Sequence, residues 1–327
     1  MKNLEEIIEK IDIDIDALER SRKKAKKGRN RWKGIGVLSG IGALILSIFL
    51  VLAFGPQFII LGLIVMAILL GTFFEISKGP VKKFQHDFKQ NFVRKLIKAF
   101  NPNLVYEPDR IVSKSDFTFS KLFKKDPDRI LGEDFLSGTH GETKFRFSEL
   151  NPQYKVKTKK GTRWVDIFKG FFMVADFHKY FHSETYILPE SFWSKAGMSK
   201  KKFQGADLIK MEDDKFEEKF RVFSTNDTDA RYILSPVMME KISQIQEQYG
   251  DDVFISFRGK NMYIALETKQ DFFKHDVNTS IDKHTIMNGH LSELKSIMAI
   301  IDDLNLNTRI WSKIPISLGR TDELENG

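Results

Sequence analysis

Three groups of residues have the types and spacing to do chemistry. Asp176, His178 and His182 fall within seven residues. On a strand Asp176 and His178 share a face, and imidazole with carboxylate is a donor set that suits zinc. Two His and one Asp this close are also a common accident at the end of an aromatic strand, and a partly exposed histidine pair is the favoured reading. No metal ligand is assigned. Asp227, Asp229 and Arg231 stand just before Ser235-Pro236. Arg231 could bind an anion, or order its loop through an ion pair worth ~0–1 kcal/mol when exposed, and the ion pair is favoured. An enzymatic site, if there is one, would have to be built near Asp176, His178 and Arg231. The third group is basic. Lys155, Lys157 and Lys159 alternate along a strand, with Lys160, Arg163, Tyr154 and Trp164 beside them. A solvated hairpin edge that discourages aggregation, a contact with anionic lipid and a single-strand nucleic-acid surface compete here, in that order.

The remaining motif search is negative. No phosphate loop G-x-x-x-x-G-K-[ST], nucleophile elbow G-x-S-x-G or H-E-x-x-H occurs. With no Cys among 327 residues, thiolate metal sites, cysteine nucleophiles and disulfide staples are excluded. No catalytic, cofactor-binding or metal residue is assigned, and no cofactor is expected.

The elements around these residues begin with two apolar runs. Ile35–Phe54 holds 20 residues without a charge and Gln57–Phe74 holds 18 more, separated by Gly55-Pro56. A helix of about 20 residues spans a hydrocarbon core of ~30 Å, so each run can cross once, and Gly-Pro suits the turn. The expectation is a transmembrane hairpin over 34–78, with spans at about 35–54 and 57–76. Gly36-x-x-x-Gly40 and Ala67-x-x-x-Gly71 lie near its inner end, where small residues would let the backbones approach. Ser39, Ala43 and Ser47 form a second small stripe that could face another copy.

Charge sets the orientation. Residues 20–33 carry nine bases and no acid, more than the whole net charge of +8, and residues 1–19 carry a net −5. A nucleic-acid binder spreads its bases over a folded face, so no nucleic-acid partner is expected. Basic flanks on both spans and a loop without Lys or Arg place both termini on the cytoplasmic side. A cleaved signal peptide fits poorly with a second span immediately after the first. Arg22, Lys23, Lys24, Lys26, Lys27, Arg29, Arg31 and Lys33 are the expected headgroup contacts. Leu4, Ile8, Ile11, Ile15 and Leu18 give residues 1–19 an apolar stripe opposite an acidic face. Such a helix suits a protein partner or self-association better than a membrane surface.

Downstream, Pro80 marks a helix restart, and Phe84, Phe88, Phe92 and Leu96 make a stripe along a connecting helix over 79–100, packing against the following domain. A domain over 101–310 and a tail over 311–327 complete the order, with residues 1–33 as the juxtamembrane helix. Short segments with turn residues predict a meander over Ile130–Ser137, Glu142–Leu150 and Gln153–Lys157, then strands at Trp164–Phe177 and Thr185–Leu188. Ser235-Pro236 caps a helix to about Gly250, Val253–Phe257 and Met262–Leu266 form a hairpin about Arg258–Asn261, and a last helix covers Lys283–Leu304. The fold class is α+β with an antiparallel sheet.

The strings Gly132-Glu-Asp-Phe, Gly141-Glu-Thr-Lys-Phe-Arg-Phe-Ser-Glu-Leu150, Phe168-Lys-Gly-Phe-Phe-Met-Val-Ala-Asp-Phe177, Phe216-Glu-Glu-Lys-Phe220 and Asp229-Ala-Arg-Tyr-Ile-Leu-Ser-Pro236, with the Val253–Leu266 segment, resemble a bacterial membrane-protein family known as domain of unknown function 3137. The resemblance covers about residues 110–275. It implies a two-span anchor in the bacterial plasma membrane with a cytoplasmic domain, and it implies no activity. His178 stands where that family typically has Asn. A membrane-tethered binding or scaffolding module is therefore the leading function, with a membrane-face enzyme as the alternative.

Overall fold

The computed structural model describes residues 11, 13–159, 161–192, 201–249, 252–268 and 271–304. Most of the amphipathic stretch within 1–19, Lys160 and the 311–327 tail lie outside them. The chain divides into two compact units, residues 1–101 with 273–293, and residues 102–272 with 294–327.

The first unit is built on an antiparallel helix pair. Helix α1 runs unbroken over Ile15–Phe54, started by Asp14, whose carboxylate accepts from the Ala17 N–H at 2.7 Å. Gly55 breaks it at φ +109°, a value only glycine adopts without strain. Helix α2 (Phe58–Phe88) continues through a π-helical turn (Lys89–Val93) into α3 (Arg94–Phe100). The expected restart at Pro80 does not occur. Pro80 sits inside α2, and the residue before it is Gly79, which has no Cβ for the proline ring to strike. Both helical rods are long and apolar enough to cross a membrane. Their apolar stretch is unlike a protein core: Leu38 is 70% exposed and Leu52 82%.

The seam between the helices is made by missing side chains. A Cβ on Gly36 would lie 2.7 Å from the Phe73 Cβ, one on Gly40 3.2 Å from a Leu70 methyl, and one on Gly62 2.1 Å from the Ser47 Cβ. Gly36 and Gly40 therefore lie directly against the other helix. Ala67 and Gly71 do not: both are exposed, and nothing lies within 4 Å of a Cβ built on Gly71. The partners of the first-span glycines are the large Phe73 and Leu70, because a groove left by glycine is filled by a ridge rather than by a second groove. Ser47 is buried against Gly62 inside the pair, so it does not face outward to another copy.

The same unit takes in residues 273–293. Phe84, Phe88, Phe92 and Leu96 are buried as one stripe, with the rings of His275 and His290 against Phe88 at 5.8 and 5.4 Å. Arg22 donates to the Val277 carbonyl at 2.7 Å and Glu19 accepts from the Ile281 N–H at 3.0 Å, so the buried Glu19–Arg22 pair clasps the 277–281 turn to α1.

The second unit is an antiparallel sheet of nine strands among the described residues, flanked by helices. Its central strand is β5 (Gly170–Pro189). One edge of the first half of β5 pairs with β3 (Thr143–Thr158), the second half pairs with β8 (Phe220–Ser224), and β9 (Val253–Glu267) runs along it from Gly170 to Ile187. Phe171 to Ala175 are all buried, as is usual for a strand covered on both faces. Phe172, Val174, Tyr186 and Tyr263 join one core, while Phe147, Phe171, Phe272 and Tyr249 stack on the other side. Gly170 is required where β5 enters: a Cβ there would stand 1.9 Å from the Leu266 carbonyl oxygen.

Three sequence expectations are corrected. The segments about Asn151-Pro152 form one long β3, with Pro152 opposite Ile130. The aromatic strand expected over 164–177 is cut, and β4 (Gly161–Asp166) ends before β5 begins. Val253–Leu266 is no hairpin, because both halves pair with β5. Arg258-Gly-Lys-Asn261 is instead the place where β9 spans an excursion of β5 between Asp176 and Thr185. The remaining strands are β1 (Val105–Glu107), β2 (Arg129–His140), β6 (Lys202–Phe203) and β7 (Ala206–Ile209). Helices α4 (Lys114–Phe119), α5 (Asp214–Lys219), α6 (Asp227–Ile233) and α7 (Pro236–Tyr249) belong to this unit, and α8 (Lys283–Asp303) is divided between the two at residue 293.

Filling the seam should weaken the helix pair where the glycine is enclosed and not where it is open. Gly62→Leu is expected to cost roughly 1–3 kcal/mol and lower the melting temperature of the full chain in detergent. Gly71→Leu is expected to leave it unchanged, and equal effects would mean that the seam is misplaced.

Candidate functional site

The basic residues that precede the apolar run lie on a continuous helix, which fixes their distance from it. At ~1.5 Å per residue, Lys33 and Arg31 stand within about 6 Å of Ile35, the start of the apolar run, and Lys23 about 18 Å away. Lys23, Lys24, Lys27, Arg31 and Lys33 are exposed, and Lys26 and Arg29 are half-buried. Arg22 leaves the expected headgroup set. It is 5% exposed and committed to Glu19 and Val277, because its position on α1 faces the 277–281 turn.

Asp176, His178 and Arg231 have separate settings. Asp176 is half-buried where β5 parts from β9 opposite Asn261, His178 is on the excursion with its side chain outside the described atoms, and His182 is exposed against Tyr180. Arg231, on α6, donates to Asp227 at 3.0 Å and to the Lys210 carbonyl at 2.9 Å. The link between the excursion and α6 runs instead through Ser183, whose hydroxyl lies 2.6 Å from the Asp229 carboxylate.

Arg231 borders a cleft of about 510 Å³ that the sequence did not reveal. The starts of α5 and α7 and the end of α6 shape it. Asp213 caps α5 by accepting from the Lys215 and Phe216 N–H groups, Asn226 caps α6, and Ser235 with Pro236 starts α7. Met211 before α5, Leu234 at the end of α6 and Met239 in the first turn of α7 give the cleft an apolar floor, while Glu212, Asp214, Lys215 and Arg231 supply a charged rim. Glu217 holds the Met211 N–H at 2.7 Å, fixing the wall. The site can bind an apolar group with polar surroundings; among its lining residues there is no nucleophile and base in contact.

A carboxylate cluster lies elsewhere in the sheet unit. Oxygens of Glu133, Asp134 and Glu149 lie within 4.8 Å of one another. The register sets Glu133 directly across from Glu149, and a bulge after Glu133 turns Asp134, at φ +64°, inward to accept from the Tyr106 hydroxyl at 2.5 Å. Burial and the adjoining Asp134 push the Tyr106 hydroxyl pKa far up. Three oxygen donors of this kind could hold a hard divalent cation such as Mg²⁺ or Ca²⁺. Sequence reading missed it because the acids are 15 residues apart; the hairpin turn at 141–142, correctly registered, would have paired them.

The model of a family described as "Protein of unknown function (DUF3137)" matches residues 166–306. The resemblance is confirmed over that stretch, which includes the Phe168–Phe177, Phe216–Phe220, Asp229–Pro236 and Val253–Leu266 strings and the cleft. The strings beginning at Gly132 and Gly141 lie before it. No curated relative matches the chain. A solved mycobacterial structure, the "trehalose monomycolate transport factor A, TtfA", aligns with 67% of this chain and 95% of its own at 9% identity and a TM-score of 0.35.

The clasp in the first unit should loosen in acid. The Arg22 guanidinium holds the Glu19 carboxyl at about 2, against an ordinary 4.5, so its contribution is complete above 4.5 and is lost as pH falls towards 2. Burial lowers the His275 pKa below 6.5, so the unfolded chain takes up that proton first and stability falls as pH drops below 6.5. Between neutrality and about pH 5.5 only His275 of these two titrates. The melting temperature in detergent should fall over this interval, and His275→Phe should reduce that fall; an unchanged profile would remove His275 from the clasp's pH response.

Proposed function

We propose that this chain, whose residues 166–306 match a family described only as of unknown function, is a membrane-held binding module. Its two spans anchor it in a bacterial plasma membrane with both termini on the cytoplasmic side. The flanking bases support that orientation, since Lys and Arg are retained inside. Lys33, Arg31 and Arg29 meet lipid headgroups, and Lys23 to Lys27 act on them from further along α1. Residues 1–19 offer a further protein contact through their apolar stripe.

The observation that carries the binding role is the cleft floored by Met211, Leu234 and Met239. It lies within the family-matching stretch and is bordered by the capped starts of α5 and α7 and the end of α6, which support a built receptor rather than a gap between loops. Beside it Tyr232 and Val237 are 51% and 54% exposed, extending an apolar surface outward on α6 and α7. The ligand is an apolar side chain or segment of a protein partner, with Arg231 and Glu212 meeting its polar flank.

A photocrosslinking residue at Val237, on the cleft's margin, tests this in the intact protein in native membranes. A discrete protein adduct is expected, and Met239→Trp, which fills the floor, should reduce its yield about tenfold while the protein still melts cooperatively. An adduct indifferent to Met239→Trp would place the partner elsewhere. A nucleotide or other small molecule that copurifies and is lost on Met239→Trp would favour an enzyme.

A further inference from the structure

Past Gln153 strand β3 pairs with β4 alone, in the register Lys155↔Trp164, Val156↔Arg163 and Lys157↔Thr162, so residues 154–165 form a two-stranded ribbon beyond the body of the sheet. Residues 157–159 and 161–164 are all exposed. The described residues of the ribbon hold four bases and no acid: Lys155, Lys157, Lys159 and Arg163. Lys160 lies outside the described residues. Its aromatic component is unusual for a solvated edge. Trp164 is 40% exposed, with the Arg129 guanidinium 3.8 Å from its ring centre and the Lys155 ammonium 5.9 Å away, and Lys125 stands 5.8 Å from Tyr154.

We propose that this ribbon is a second, peripheral membrane contact that docks on the surface of an anionic bilayer. Charge complementarity selects the occupant: a ribbon without acids meets a surface with negative potential. The aromatic arrangement separates lipid from nucleic acid. A base-binding platform needs an open ring face on which a base can stack, and Arg129 already covers Trp164. An indole dressed with cations is instead suited to the headgroup layer, where its apolar body enters and the charges stay among phosphates. Solvation alone would need the lysines and not the half-exposed indole.

The absence of cysteine permits a clean probe. Thr162→Cys, opposite Lys157 at the ribbon's tip, is labelled with an environment-sensitive fluorophore in the full chain, reconstituted in nanodiscs. Emission is expected to brighten and shift to the blue in phosphatidylglycerol discs relative to phosphatidylcholine discs, or when phosphatidylglycerol vesicles are added to protein in phosphatidylcholine discs. High salt should reverse the change in the labelled parent, which reads the electrostatics without any charge mutation. In a Lys155→Glu, Lys157→Glu, Arg163→Glu background, the vesicle concentration for half-response should rise about tenfold or more. Emission equal in every lipid setting at low salt overturns the proposal. A response to a single-stranded oligonucleotide with none to phosphatidylglycerol overturns it in favour of nucleic acid.

Discussion

Two helices in hydrocarbon gain little from burying apolar side chains against each other, because lipid is as apolar as leucine. What they gain is close packing, and close packing needs places where one backbone can approach the other. Gly36, Gly40 and Gly62 are those places, and the other helix supplies Phe73, Leu70 and Ser47 to fill them. This constraint sets the register of α1 on α2. That register then runs on past the apolar stretch, as shown by the Pro80 ring, which lies 3.1 Å from a Cβ built on Gly28. The placement of Glu19 and Arg22 against the 277–281 turn depends on α1 arriving there as an unbroken rod.

In the sheet unit the corresponding role belongs to β5. Its long apolar run pairs with β3, β8 and β9, and strands entering and leaving it define where the helix starts must sit. The cleft is a consequence of those stops. Two helices, α5 and α7, begin where α6 ends, and the apolar residues Met211, Leu234 and Met239 line the gap between them.

The sequence made the two spans and their turn legible because hydropathy over twenty residues is a strong, local signal. The α7 cap at Ser235-Pro236 and the long α8 were legible for the same reason. Long-range pairing was not. Arg258-Gly-Lys-Asn261 has the composition of a turn, yet the residues on both sides pair with one strand, and nothing local distinguishes a turn from a bridge across a partner's excursion. The site suffered similarly. Asp176, His178 and Arg231 attracted notice by type, while the cleft is made of Met211, Leu234 and Met239, whose apolar identities say only that they are buried somewhere. Glu133 and Glu149 became neighbours only through register, and Arg22 left the lipid-facing set only through its fold-dependent partner.

Pro80 lies within α2, and the helical rod runs through it from Phe58 to Phe100. Such a rod is a mechanical element as well as an anchor. A rotation of its apolar half about the helix axis would change which side chains its other half presents at Phe84, Phe88 and Phe92. The rings of His275 and His290 therefore pack on the same continuous rod that carries the exposed apolar stretch.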